Sequence, residues 1–368
     1  MPRTIVVKLG TNLVTDAAGR PDMAVLSDVA RQTKSLWSEG RHVAIVSSGA
    51  VGAGLAALGI ARRPRDLATL QAAAAVGQPL LMTAWAAAMR EVGLGVGQVL
   101  LTREDADDRG RFLNVRSTVA ALWKAGAVPI LNENDSVSTT ELARGGSVGA
   151  DSFGDNDQLS AAVASALSAE LLVLLSTVPG LLDGDGQVVP RVSRLAEVES
   201  LVRRDTSAGG TGGMASKLAA AALTMAAGET MVLAGGRDGD ALLKAARGEP
   251  GGTRFEPSAT GRLVGRLRWI ATARPLGTLH LDAGAARALR ETNASLLPAG
   301  VTGVDGDFER GDVVCLLDPD GRPVAKGLAS HDAAVARRIA GLRSRDLPAL
   351  LGDPCREELV HRDNLVLA

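Results

Sequence analysis

Short runs of β-branched and aliphatic residues alternate with alanine-rich stretches over roughly the first 235 residues, and this alternation restricts the fold more than any other feature. Candidate strands are Ile5–Lys8, Val43–Val46, Val96–Leu101, Val128–Asn132, Leu171–Ser176 and Thr230–Ala234. Between them Met23–Glu39, Leu67–Val92, Arg111–Ala125, Gln158–Ala169 and Met214–Ala227 read as helices, and the gaps are long enough for crossover connections. Strand and helix in this order build an α/β fold, a parallel sheet covered by helices. Ligands of such sheets bind at the carboxyl ends of the strands. Polar and glycine residues cluster there: Lys8-Leu9-Gly10-Thr11 after the first strand, Ser47-Ser48-Gly49-Ala50 after the second and Asn132-Glu133-Asn134-Asp135 after the fourth.

At 368 residues the chain exceeds the size at which one core stops growing, so two domains are expected. Composition changes from about Glu249 to Arg274, where Gly251-Gly252, Pro257 and the basic run Arg262 to Arg268 read as a linker. Short strand-like runs and turns such as Asp305-Gly306-Asp307 and Asp318-Pro319-Asp320-Gly321 then fit a compact β-rich domain. The expected division is 1–250, a linker at 251–275, a second domain at 276–355 and a C-terminal tail at 356–368.

Forty basic residues against 41 acidic ones leave a formal net charge of −1, so no whole-chain field draws nucleic acid. Cys315 and Cys355 form no CxxC or Cys/His cluster, which argues against a disulfide framework or a zinc site and fits a reducing compartment. The start, Met1 to Lys8, has too short an apolar run for a signal peptide. No uninterrupted apolar run reaches the roughly eighteen residues of a membrane span. A cytoplasmic location without membrane attachment is expected.

Thr211-Gly212-Gly213-Met214-Ala215-Ser216-Lys217 places flexible backbone, a hydroxyl and a cation where a helix begins. Converging N–H groups, the positive end of the helix and the lysine charge together suit a nucleotide phosphate. It is not a Walker A loop, which needs four residues between its glycines and then Gly-Lys-Ser/Thr. An ordinary glycine-rich helix start is the alternative. Lys8 with Gly10 offers a similar cation and backbone pair, or a strand-end lysine turned to water. Ser48-Gly49 offers donors for a carboxylate or phosphate, or a plain helix cap. Four polar side chains in Asn132 to Asp135 at a buried sheet edge need partners. Gly154-Asp155-Asn156-Asp157-Gln158 packs two carboxylates and an amide before a helix, more than capping requires. Acids facing lysines point to phosphoryl transfer, in which cations stabilise charge on the transferring group and carboxylates orient them or hold Mg²⁺. His42, His280, His331 and His361 are scattered and take no catalytic role.

In combination, Val7-Lys8-Leu9-Gly10-Thr11, Ser48-Gly49-Ala50, Leu101-Thr102-Arg103, Arg111-Phe112-Leu113-Asn114, Asn132-Glu133-Asn134-Asp135, Gly154-Asp155-Asn156-Asp157 and Gly210-Thr211-Gly212-Gly213-Met214 with Lys217 resemble the glutamate 5-kinases of the amino acid kinase superfamily. Residues from about Gly277 to Asp353, with Ser295-Leu296-Leu297-Pro298-Ala299-Gly300 and Phe308-Glu309-Arg310-Gly311-Asp312, resemble a PUA domain. The resemblance implies a three-layer sandwich with a mostly parallel central sheet and a small β-rich PUA barrel. It implies transfer of the γ-phosphoryl of ATP, with Mg²⁺, to the side-chain carboxylate of L-glutamate, the first step of proline synthesis, without a covalent enzyme intermediate. By the same analogy Lys8 and Lys217 flank the phosphoryl and Asp157 orients them. Gly10, Ser176, Thr177, Thr211, Gly212, Gly213, Met214, Ala215 and Ser216 join the two lysines in binding ATP. Ser48, Gly49, Asp135 and Asn156 hold glutamate, Asp135 pairing with the α-ammonium group, while Asp155 shares this work in a less defined role. No residue is assigned as a metal ligand. The resemblance also implies a homo-oligomer, feedback by proline and hand-over of product to glutamyl phosphate reductase.

Two departures stand out. Ser176-Thr177 occupies the place where the family commonly has Thr-Asp for the nucleotide, so a hydroxyl in place of the carboxylate is expected to bond the base or ribose more weakly there. Arg144 to Ser152 lengthens a loop beside the glutamate pocket. Competing readings are another superfamily kinase, for acetylglutamate, aspartate, carbamate or uridylate, and an RNA-binding protein acting through the PUA domain. The run Asn132 to Asp135 and the PUA tail speak against the former. Against the latter stand the net charge and an aromatic content of 2%, although Arg337, Arg338, Arg343 and Arg345 could make a weak contact.

Overall fold

The computed structural model describes residues 3–137, 156–198, 213–257, 263, 265–292, 294–351 and 356–367. The chain divides into two compact units, Met1–Arg262 and Leu263–Ala368.

The first unit is built on strands β1 (Thr4–Leu9), β2 (His42–Ser47), β3 (Gly95–Leu101), β4 (Ala127–Glu133), β5 (Leu171–Ser176), β6 (Arg191–Val192), β7 (Thr230–Gly235) and β8 (Thr253–Phe255). They form one eight-stranded sheet in the order β3-β4-β2-β1-β5-β7-β8-β6. Every pairing is parallel except β7 with β8. The inner strands β1, β2, β4 and β5 are near-continuous apolar runs because helices bury both of their faces. On one face Ile5, Val7 and Ile45 pack with helices Met23–Ser38, Leu67–Glu91 and Ala241–Arg247. On the other, Val6, Val46 and Leu174 pack with Asn156–Leu167 and Met214–Ala226. This is the expected three-layer sandwich with a mostly parallel sheet.

From β1 the chain adds β2, moves to the edge with β3, returns with β4 between β3 and β2, then crosses to the opposite side of β1 with β5. The order therefore reverses at β1, where ligands bind in open α/β sheets. Parallel pairing puts the carboxyl ends of β1, β2, β4, β5 and β7 along one edge, so Lys8, Ser47, Asn132, Ser176 and Gly235 share it.

Among the described residues Leu67–Glu91 is the one helix long and apolar enough to cross a membrane. Its face of Leu70, Ala73, Leu81, Trp85, Ala88 and Met89 is buried in the core. Gln71 and Gln78 interrupt what would otherwise read as a longer apolar run.

The second unit holds β9 (Gly277–Leu281), β10 (Val301–Gly306), β11 (Val313–Leu317), β12 (Pro323–Ala329) and β13 (Val360–Leu367) in a five-stranded sheet ordered β10-β9-β11-β12-β13. Leu279, Leu281, Val314 and Leu316 centre its own core. Two segments differ from the sequence reading. The stretch 251–275, expected as a linker, carries β8 in the first unit's sheet and helix Arg266–Thr272 in the second unit, with Trp269 and Ile270 buried. The stretch 356–368, expected as a tail, carries β13 on the edge of the second sheet. A three-residue strand and a strand whose centre is His-Arg-Asp-Asn give no periodicity to read; both are held by tertiary pairing.

Candidate active site

Three charged side chains that are far apart in sequence meet at the carboxyl edge of the sheet. Lys8 comes from the end of β1, Asp157 from the first turn of Asn156–Leu167 and Lys217 from the first turn of Met214–Ala226. Lys8 Nζ lies 2.5 Å from Asp157 Oδ1, and Lys217 Nζ donates to Asp157 Oδ2 at 3.2 Å. Exposure is 3%, 0% and 9% for Lys8, Asp157 and Lys217, so water screens this triad little. Burial pushes the Asp157 carboxyl upward, but the charges and hydrogen bonds of Lys8 and Lys217 outweigh it and hold the group below its ordinary value. Asp157 is thus an anion with a cation on each oxygen, and the cluster carries one net positive charge.

Two helix starts on this edge lack the side-chain cap that several others have, among them Arg103–Asp107, which Thr102 caps at the end of β3. Met23–Ser38, Leu67–Glu91 and Arg109–Lys124 are each capped by an aspartate side chain, Asp22, Asp66 and Asp108. Ala50–Ala57 and Met214–Ala226 are capped by Gly49 and Gly213, with no side-chain acceptor. Their first N–H groups remain available to an anion beside the lysines. Gly49 has φ +110°, and a Cβ there would lie 2.7 Å from Val14 Cγ2, so the turn from β2 into its helix requires glycine.

Next to the charged triad runs a chain of buried amides. Asn156 Nδ2 donates to Ser48 Oγ at 2.8 Å and to Asn132 Oδ1 at 2.9 Å, and Asn132 Nδ2 donates to Gln78 Oε1 at 2.8 Å. Trp85 Nε1 donates to Ser47 Oγ at 2.9 Å, which bonds the Ser48 carbonyl. Asp135 lies just past β4 in a crevice lined also by Ala50, Gln78, Glu133 and Asn134. Among the described residues no three His, Cys, Asp or Glu side chains gather as a metal cage.

The structure therefore brings Lys8, Asp157, Lys217, Ser48 and Asn156 together, with Gly49 and Gly213 beside them. Asp135 borders the amide chain through the crevice it shares with Gln78. Ser176 is half-buried at the end of β5, its carbonyl accepting from Gly236 N–H at 2.8 Å, and Thr177 is exposed. Met214, Ala215 and Ser216 form the first turn of their helix, and Gly10 lies close enough to β1 that a Cβ would be 3.7 Å from Lys8 Nζ. Thr211, Gly212, Gly154, Asp155 and the loop Arg144 to Ser152 lie outside the described residues. Two residues that complete the site had no assigned role from sequence: Asn132, inside a flagged run, and Gln78. The signal for Gln78 was a lone amide on the buried face of an alanine-rich helix.

The amino acid kinase family matches residues 3–234, and the PUA domain matches residues 277–351. The glutamate 5-kinase of Thermus thermophilus is 45% identical over 372 residues, spanning 99% of this chain and 97% of that one. The chain belongs to the amino acid kinase family and, within it, to the glutamate 5-kinases. Other glutamate 5-kinases are similarly close: that of Frankia casuarinae is 45% identical over 99% of this chain and 96% of its own, and that of Gloeobacter violaceus 44% over 98% of each. Similar solved structures include a Giardia carbamate kinase, 20% identical with a TM-score of 0.48, covering 70% of this chain and 99% of that one.

Proposed function

We propose that this chain transfers the γ-phosphoryl group of ATP to the side-chain carboxylate of L-glutamate, giving L-glutamyl 5-phosphate for proline biosynthesis. The observation that carries the proposal is Asp157, buried between two lysines beside helix starts that lack side-chain caps. Phosphoryl transfer asks a protein mainly for positioning and for positive charge around the equatorial oxygens. Lys8 and Lys217 supply that charge from either side. Asp157 holds both in place.

The acceptor is a carboxylate, ionised at neutral pH, so it needs no general base. One of its oxygens bonds to the γ-phosphorus as the bond from phosphorus to the β–γ bridging oxygen breaks, ADP leaves and no proton moves. Asp157, kept anionic by its lysines, accordingly acts as an organiser rather than a base. The backbone N–H groups of Gly10 and of Gly213, Met214 and Ala215, with Thr211 and Gly212, cradle the nucleotide phosphates, and Ser216, whose own N–H donates to the Gly213 carbonyl, offers its hydroxyl. Ser176 and Thr177 face its nucleoside with hydroxyls. Ser48, Gly49, Asp135 and Asn156 hold glutamate, with Asp135 toward the α-ammonium. Mg²⁺ would accompany the nucleotide and supply charge neutralisation at its phosphates; no described side chain is assigned to it. The reading extends to a cytoplasmic, homo-oligomeric enzyme that responds to proline and passes its product to a glutamyl phosphate reductase.

The test is ATP turnover with Mg²⁺ against L-glutamate, N-acetylglutamate, aspartate and uridylate, with hydroxylamine trapping acyl phosphates as hydroxamates. Hydroxamate from glutamate and not from the others is the expected result. Turnover confined to another acceptor overturns the assignment of the pocket.

A further inference from the structure

The buried amide chain has a direction. Asn156 Nδ2 donates both of its hydrogens, to Ser48 Oγ and Asn132 Oδ1, while its Oδ1 is buried and has no partner among the described residues. An acceptor left in this state calls for a donor from a ligand. Ser48 Oγ, already accepting from Asn156, keeps its own hydrogen to donate. One acceptor and one donor side by side match the ammonium and carboxylate of an α-amino acid.

Asn132 can turn Oδ1 toward Asn156 only while its Nδ2 points the other way, and the atom that receives Nδ2 is Gln78 Oε1. Reversing any one amide would set oxygen against oxygen or N–H against N–H, so the orientation at Gln78 fixes the other two. The element carrying Gln78 is itself firmly placed. A Cβ on Gly77 would lie 1.8 Å from Ala50 O, so the helices Leu67–Glu91 and Ala50–Ala57 touch backbone to backbone there. Two turns beyond Gln78, Trp85 holds Ser47 and through it the Ser48 carbonyl.

We propose that Gln78 is a positioning residue for recognition of the substrate's α-ammonium group, acting through Asn132 to keep Asn156 Oδ1 turned toward that group. The inference rests on the glutamate reading given above. Gln78 takes no part in the transfer; its effect falls on the amino end of the acceptor and spares the phosphoryl end.

The test compares the full-length wild type with Gln78→Leu and Gln78→Glu, measuring glutamate KM, kcat, ATP KM and competition by glutarate, which has both carboxylates and no ammonium. In Gln78→Leu the glutamate KM rises roughly tenfold, the worth of one buried hydrogen bond. The glutarate inhibition constant, kcat and ATP KM stay within about threefold, less than the tenfold that one such bond is worth. Gln78→Glu keeps an acceptor oxygen at the same reach and restores the glutamate KM. Glutamate and glutarate weakening together, an unshifted KM in Gln78→Leu, or no recovery in Gln78→Glu overturns the proposal. Wild-type protein that forms no hydroxamate from glutamate overturns the glutamate reading and this inference with it, whereas an active wild type with an unshifted Gln78→Leu overturns this inference alone.

Discussion

Replacing Asp157 by asparagine removes the carboxylate that pairs with two buried lysines and keeps nearly the same shape. At an effective dielectric of about 20, each ammonium at 2.5 or 3.2 Å is attracted by roughly 5–7 kcal/mol. Much of that offsets the desolvation of three buried charges. Removing one partner from such a cluster therefore costs about 3–5 kcal/mol of stability. Without their tether the lysines no longer wait in place for the transferring group, and kcat falls about 10²-fold or more. The site gains one net positive charge, so the ATP KM stays level or falls. The stability effect has a defined pH window. The folded carboxyl lies below its unfolded value of about 3.9, so its contribution is complete above that pH and is lost as pH falls through the folded value. The gap in Tm between wild type and Asp157→Asn should be constant from neutral pH down to about pH 5 and close below pH 4. Steady-state kinetics with thermal unfolding across pH checks this. An Asp157→Asn protein with wild-type kcat, or with unchanged kcat and a raised ATP KM, would refute the organising role.

Lys217→Ala should lower kcat by about 10²-fold or more while the fold survives, as read by kcat against Tm, since its charge acts mainly on the transition state. Asp135→Asn should act on the other substrate, raising the glutamate KM roughly 10- to 100-fold with the ATP KM unchanged; an unaltered glutamate KM removes Asp135 from the pocket. Gly77→Ala forces a Cβ to 1.8 Å from Ala50 O and 2.5 Å from Gly54 N, so the two helices must part. A loss of about 1–3 kcal/mol, seen as a lower Tm together with a higher glutamate KM, is expected.

The sheet was legible because its inner strands are continuous apolar runs, and each was placed to within a residue or so of its observed ends. Lys8 announced itself as a charge closing such a run. Helix Ala50–Ala57 was less legible, since Ala-Val-Gly-Ala-Gly-Leu-Ala-Ala has weak helix propensity, and it forms where it packs against Gly77. The charged triad joins residues that sequence alone cannot bring together. Its members were named, but the hold of Asp157 on both lysines follows from the strand order reversing at β1. Gln78 escaped notice because a single amide on an apolar helix face has many ordinary explanations, and its meaning appears only with Asn132 and Asn156 beside it.

Direct attack of the glutamate side chain on phosphorus is tested most plainly by following oxygen. Glutamate carrying ¹⁸O in the side-chain carboxylate alone is turned over with unlabelled ATP and hydroxylamine, which attacks the acyl carbon and expels phosphate with the bridging oxygen. Inorganic phosphate containing one ¹⁸O per turnover is the predicted result. Unlabelled phosphate, with hydroxamate or without it, would contradict the transfer proposed for this site.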